Sequence, residues 1–414
     1  MPKNWNIEKI PELLFFQEGP GVRKWQFKDS GVKLLNVGNI NKGKIDLSST
    51  KIFLSEEEAY GKYSHFMVDS GDLLIACSGI LLENFHNKIS FVDDENLPLC
   101  LNTSTMRFRS LDDDILDLRY FKYFLQTEHF NKQLRRLITG SAQLNFGPSH
   151  IKKIDIILPP LAEQKQIAAI LDTADSLRQK DQQLVEHYTA LSQSLFLEMF
   201  GDFIENPKGF DQCFLGDVLC EKNSIKCGPF GSQLKIGEFV EAGIPVYGID
   251  NVQINRFVNA KPKYITEEKF NELSAFHVSK NDLLISRTGT VGRACLAPEI
   301  DKAVIGPNLL KVRIQNSRFN PVFLAFAFNY SNSIINQIKM FSPGATVAVY
   351  NTGNLRKLNV LTPPIKLQNQ FAEYIAFIEK QKQQAQMNLE KSEMLFNSLL
   401  QRAFTGELTA NKAA

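Results

Sequence analysis

No run of this sequence is apolar for long enough to cross a bilayer. Val322 to Phe328, among the longest, is far below the roughly 20 residues a spanning helix needs. The first residues, MPKNWNIEKIPELLFF, lack the basic segment, long apolar run and small-residue cleavage site of a secretory signal, so a cytoplasmic location and no membrane contact are expected. Six cysteines among 414 residues are too few for a disulfide scaffold. Cys213, Cys220 and Cys227 recur at seven-residue steps, wider than the short gaps within zinc-ligand pairs, and read as buried thiols. The six histidines show no ligand spacing either, so no metal site is expected.

Catalytic signatures are missing too. There is no G-x-x-x-x-G-K-[ST] loop for nucleotide phosphates. RTGTVGR, from Arg287 through Thr288 to Arg293, fits neither nucleotide fingerprint and reads as a tight turn after the strand DLLIS. The two Pro-Pro pairs follow Leu158 and Thr362, where an amino-group DNA methyltransferase needs an asparagine to hold its target amine. The chain is therefore expected to be non-catalytic and to bind no cofactor of its own.

What the sequence does contain is itself, twice. LPPLAEQKQIAAIL starts at Leu158 and TPPIKLQNQFAEYI at Thr362, 204 positions later. In that register Gly140 falls on Gly344, Leu195 on Leu399 and Phe200 on Phe404. Upstream the offset becomes 210, pairing DLLIACSG at Asp72 with DLLISRTG at Asp282, and then 212, pairing Asn39 with Asn251. Loop insertions produce such drift, so the chain is a tandem duplication.

Each copy ends in a long helical pattern of about forty residues without Gly or Pro, which at 1.5 Å per residue reaches roughly 60 Å. The apolar stripe of the first runs through Ile167, Ile170, Leu177, Leu184, Leu191 and Leu195. That of the second runs through Phe371, Ile378, Leu389, Phe396 and Leu399. Both read as seams for another helix or for a docked partner. The Pro-Pro pairs suit a first helical turn, and Gly201 and Gly406 suit a stop. Ahead of each helix, short β-rich runs broken by Gly, Asn and Asp predict a compact strand-rich domain of mixed α and β structure. The expected architecture is α+β: a domain at 1–157, a spacer helix at 158–200, a second domain at 208–360 and a second helix at 361–405, the two helices forming an antiparallel coiled coil.

The blocks LPPLAEQKQIAAILD, GPFGSQLK, DLLISRTGTVGRA and SLLQRAFTGEL resemble the specificity subunit of type I restriction-modification systems, and the resemblance covers essentially the whole chain. It is looser in the first domain, where Gly19-Pro20-Gly21-Val22 stands for GPFGS and CSGILLE for RTGTVGR. The resemblance implies two target recognition domains on a bipartite, asymmetric DNA target. It implies a scaffold for two methylation subunits, joined by two restriction subunits in the complete nuclease. S-adenosylmethionine, ATP and Mg would then belong to those partners. Antiparallel seams would relate the two units by a half-turn and place two unlike readers over two half-sites.

Net charge, +2, does not argue for DNA, and its distribution is consistent with DNA binding without deciding it. Residues 208–360 hold 18 basic against 12 acidic side chains, and 158–207 only 3 against 8. Arg135-Arg136, Lys152-Lys153 and Arg356-Lys357 are candidates for phosphate contacts. Ser141, Gln143 and Asn145 in the first domain, and Arg287, Arg293 and Asn351 in the second, with Thr288 in the same turn, are candidates at the bases. The alternative is a non-DNA-binding coiled-coil scaffold with two protein-binding domains. A salt-dependent preference for one duplex over scrambled ones separates the two.

Four helix-forming residues inserted near Leu197 lengthen the helix by about 6 Å, so the gap between half-sites grows by roughly one to two base pairs at about 3.4 Å each. The half-site sequences stay as they were. A methylated-base map of the variant against its parent reads both.

Overall fold

The computed structural model describes residues 5–138, 144–218, 224–260, 262–289, 291–314, 318–341 and 351–409. They form two compact units. One comprises residues 1–181 and 388–414 and the other residues 182–387, so each long helix contributes to both.

In the first unit Asn6–Lys9 pairs antiparallel with Asp155–Leu158, which leads into the first long helix. A four-stranded antiparallel sheet has the order Leu14–Glu18, Thr105–Ser110, Leu73–Ala76, Ile89–Phe91. A three-stranded sheet places Val32–Leu35 between Leu99–Leu101, which runs parallel to it, and Phe53–Leu54. Ile40–Asn41 and Lys44–Ile45 form a hairpin, and the helices Leu118–Phe124 and Glu128–Leu137 complete the domain.

The second unit repeats this arrangement. Asp211–Phe214 pairs with Asn359–Thr362. The four-stranded order is Ile225–Cys227, Leu309–Val312, Leu283–Ser286, Ala294–Leu296. Ile244–Tyr247 lies between the parallel strand Val304–Ile305 and the antiparallel Lys263–Ile265. Val252–Gln253 and Arg256–Phe257 form the hairpin, and Pro321–Tyr330 and Asn332–Met340 the helix pair. The mixed α and β composition and the duplication are as expected.

The repeated motifs are repeated hydrogen bonds. Asn39 accepts from Asn36 N and donates to Asp46 O, closing the turn before its hairpin. Asn251 does the same between Gly248 N and Val258 O. Asp72 and Asp282, both 2% exposed, open the DLLI strands. Each accepts from the backbone three residues earlier, at Asp69 N and Ser279 N. Each also takes a two-pronged arginine, Arg109 or Arg313. Charge-assisted pairs of this kind are short and strong. Beside them Arg107 donates to the carbonyls of His65 and Met67, and Lys311 to those of Ala275 and His277. Burial pushes the Lys311 ammonium down to about 8.

The two helix starts have the same explanation. Gln164 is fully buried one turn into Leu161–Phe200. Its amide donates to Ile115 O at 2.9 Å and Pro159 O at 2.8 Å and accepts from Asp117 N at 3.0 Å. Gln368, one turn into Ile365–Thr405, donates to Arg318 O at 3.2 Å and Pro363 O at 2.7 Å and accepts from Asn320 N at 2.9 Å. Asp117 and Asn320 are the N-caps of the domain helices. One side chain thus locks the long helix to the domain before it. A second pair helps: Gln133 bonds both backbone groups of Asp155, and Gln337 both of Asn359.

In the first unit Ile167, Leu171 and Ala174 share a core with Phe396, Leu400, Ala403 and Phe404. The direction is antiparallel, because Glu163 accepts from Thr409 while Arg178 lies over the Phe396 ring. In the second unit Phe196 and Phe200 pack on Phe371, and Ile375 and Ile378 join the same core. Of the residues expected in the seams, Ile167, Phe371, Ile378, Leu389 and Phe396 are buried, and Ile170, Leu195 and Leu399 half-buried. Leu177, Leu184 and Leu191 do not join a seam: they are 45%, 40% and 49% exposed. Steps of seven drift by about 20° per heptad on a straight helix, which carries this line off the buried face. Gly201 and Gly406, at φ 74° and 83°, end the helices as expected.

Replacing Gln164 or Gln368 by alanine leaves a buried amide N–H and carbonyls without partners, which costs about 1–3 kcal/mol each. Urea unfolding of the purified chain should show a loss of that size, with glutamate at the same position recovering only the accepting half.

Candidate nucleic-acid interface

Both domains carry a rim where strand ends converge. In the first unit strands Leu14–Glu18, Val32–Leu35, Leu73–Ala76 and Leu99–Leu101 end there and Thr105–Ser110 begins. Backbone crossings hold it: Gly19 N donates to Thr105 O and Cys77 N to Ser104 O. A Cβ on Gly19 would lie 2.2 Å from Asn102 O, so only glycine fits. In the second unit Gly228 N donates to Leu309 O and Arg287 N to Asn308 O, and a Cβ on Gly228 would lie 1.8 Å from Gly306 O.

The side chains on these matching frames differ. In the first, Asn145 Oδ1 accepts from Ser78 Oγ at 2.6 Å and from Gly79 N at 3.1 Å, leaving its exposed amide nitrogen as a donor. Glu18 faces Cys77, whose thiol burial pushes up to about 12 with help from the Glu18 charge. In the second, Arg287 donates to Cys227 Sγ and, at 3.4 Å, to Pro307 O. Burial raises the Cys227 thiol while the neighbouring Arg287 pulls it down. Arg293 donates to Gln253 at 2.8 Å. The Nε atoms of Arg287 and Arg293 are buried without partners. Beside this rim a cavity of about 500 Å³ is lined by Phe230, Ile236, Tyr247, Asp250 and Asn308, among others.

The structure thus brings Arg287 and Arg293 to the ends of one turn, with Thr288 half-buried between them, and places Asn145 at the first rim. Asn351 caps the helix Thr352–Arg356 by accepting from Asn354 N. Lys152, Lys153 and Lys357 are exposed beside short helices, and Arg356 is half-buried. Ser141 and Gln143 lie outside the described residues. Glu18 and Cys227 were not read from sequence, because unlike residues hide an equivalent position. Trp25 was also missed: it is 77% exposed between exposed Lys24 and buried Gln26, whose amide donates to Glu58 and Tyr63. Among the described residues no cluster of His, Cys, Asp and Glu is placed to hold a metal, and no helix is long and apolar enough to cross a membrane.

A second surface lies on the helices. Ile170, Leu177, Leu395 and Leu399 line a groove of about 770 Å³ in the first unit. The repeat carries Ile170, Leu395 and Leu399 onto Tyr374, Leu191 and Leu195 of the second unit, of which Tyr374 and Leu191 are 45% and 49% exposed.

Residues 2–187 and 207–390 each match the family described as type I restriction modification DNA specificity domain. The chain belongs to that family. The MjaVIII specificity subunit of Methanocaldococcus jannaschii is 30% identical over 189 residues, a stretch spanning 45% of this chain and 44% of that protein. The EcoKI specificity subunit of Escherichia coli is 23% identical over 99% of this chain and 90% of its own length. The crystal structure of a type I restriction-modification S subunit from M. genitalium superimposes with a TM-score of 0.56 at 17% identity, covering 97% of this chain and 96% of that one. A chain from a structure on assembly and conformational transition of the type I system gives 0.51 at 17% identity, covering 98% and 99%. The fold of these specificity subunits is therefore the fold found here.

For a member of this family the sharpest test at the second rim is Arg287→Ala. A bidentate arginine at a guanine discriminates by about 1–3 kcal/mol. If Arg287 makes such a contact, the variant binds the target duplex about ten- to a hundredfold more weakly and tolerates other bases at one position of one half-site, as read by titration against duplexes varied singly.

Proposed function

We propose that this chain supplies the DNA sequence specificity of a type I restriction-modification enzyme. In this reading it recognises an asymmetric bipartite duplex and holds two methylation subunits, with two restriction subunits completing the nuclease. One observation carries the reading: two domains share a strand order but present unlike side chains on equivalent rims, Ser78 and Asn145 on one, Arg287 and Arg293 on the other. Equal frames with unequal donors and acceptors suit two half-sites of different sequence.

The chain itself contributes recognition and assembly, and the chemistry belongs to the partners. Methyl transfer from S-adenosylmethionine and ATP- and Mg-dependent restriction are assigned to the subunits it recruits, in the cytoplasm. Two methylation subunits are supported by the exposed apolar residues that recur on the helices, around Leu395 in one unit and Leu191 in the other. Exposed apolar patches that recur with the repeat fit protein docking.

The purified chain alone should neither cleave nor methylate DNA. With its methylation subunit it should give adenine methylation at a bipartite site, and Leu395→Asp or Leu191→Asp should each reduce the bound methylation subunits from two to one by native mass measurement. Methyl transfer by the isolated chain, or two subunits retained in both variants, would contradict this.

A further inference from the structure

We propose that the position occupied by Glu18 and Cys77 in the first rim, and by Cys227 and Arg287 in the second, selects one base of each half-site, a cytosine in the first and a guanine in the second. The inference rests on the DNA-reading function above and adds residues and bases to it.

The two positions are topologically the same. Glu18 and Cys227 are the last residues of the strands Leu14–Glu18 and Ile225–Cys227, each followed by the glycine that crosses the neighbouring backbone. Cys77 and Arg287 directly follow the strands Leu73–Ala76 and Leu283–Ser286. Both strands flank the one that starts at Thr105 in the first unit and at Leu309 in the second, so the two side chains meet over its first residue. Each rim therefore pairs a thiol with an ionisable group. The thiol has changed strands, and the charge has changed sign.

Both charged groups keep unused hydrogen-bonding capacity. Among the described contacts the half-buried Glu18 carboxylate receives only the Cys77 thiol, at 4.0 Å, and a thiol is a weak donor. Arg287 gives Nη1 to a sulfur and, at 3.4 Å, to a carbonyl, which leaves Nη2 as a donor without a partner among the described contacts. By contrast Arg313 and Asp282, on the same sheet, form a two-pronged pair at 2.7–2.8 Å that commits both charges to the fold. In the major groove a carboxylate accepts from the cytosine amino group, and an arginine donates to guanine O6 and N7. Opposite charges on one frame thus read opposite members of a C·G pair.

The test is Glu18→Gln, which keeps the shape, removes the charge and adds donors. The full chain is assembled with its methylation subunit, and methylated bases are mapped in cells. Affinities of the purified complex are then compared for two 40-base-pair duplexes that differ only at the cytosine. Discrimination at one position of one half-site should fall about tenfold or more, with the other half-site unchanged. The affinity ratio between duplexes does not depend on the yield of folded protein. A ratio unchanged from the parent at every position of the first half-site overturns the proposal, as does a change confined to the half-site of the second domain. A parent complex that prefers no duplex defeats the DNA-reading function instead.

Discussion

A buried glutamine amide, one turn into each long helix, is the constraint on which the architecture turns. An amide has one accepting oxygen and two donor hydrogens, and Gln164 and Gln368 spend all three on backbone groups of the preceding domain and of the proline pair. No apolar side chain of that size meets the same requirement, and an unmet one is expensive in a buried place. The direction of each long helix is thereby tied to the helix pair of its domain. The aromatic cores around Phe396 and Phe404, and around Phe196 and Phe371, are packed along helices held in that direction.

The two units divide their sequence into parts that must repeat and parts that need not. Side chains that close turns or bridge backbones, such as Asn39 and Asn251 or Asp72 and Asp282, recur with their partners. Positions facing solvent at the rims do not, and the offset between copies drifts in the loops between them. The pair Arg107 and Lys311 lies between these extremes, since both cations serve carbonyls of the same turn.

The duplication, the helix starts and stops and the strand-rich domains were legible because they depend on local side-chain requirements that were written twice. The parallel pairing of Val32–Leu35 with Leu99–Leu101 was not, since nothing local links segments so far apart. The seam was only half legible. Its buried ends follow the apolar stripe, but Leu177, Leu184 and Leu191 share that stripe and face outward, because a seven-residue pattern does not tell a seam from a docking line. That Arg287, Arg293 and Asn145 stand at strand ends and turns was legible from turn context. The place of Glu18 was not, for its counterpart is a cysteine, and equivalence at that position exists only in three dimensions.

The glycines at the rims bear on how such a protein changes over generations. Where Gly19 and Gly228 pass beneath Asn102 and Gly306, main chain rests directly on main chain, and the frame of the rim owes little to the side chains displayed above it. Replacing a displayed residue therefore leaves the scaffold standing. Side chains there can change one at a time without disturbing the backbone contacts beneath them. Recognition is free to diversify here because geometry is inherited through the backbone.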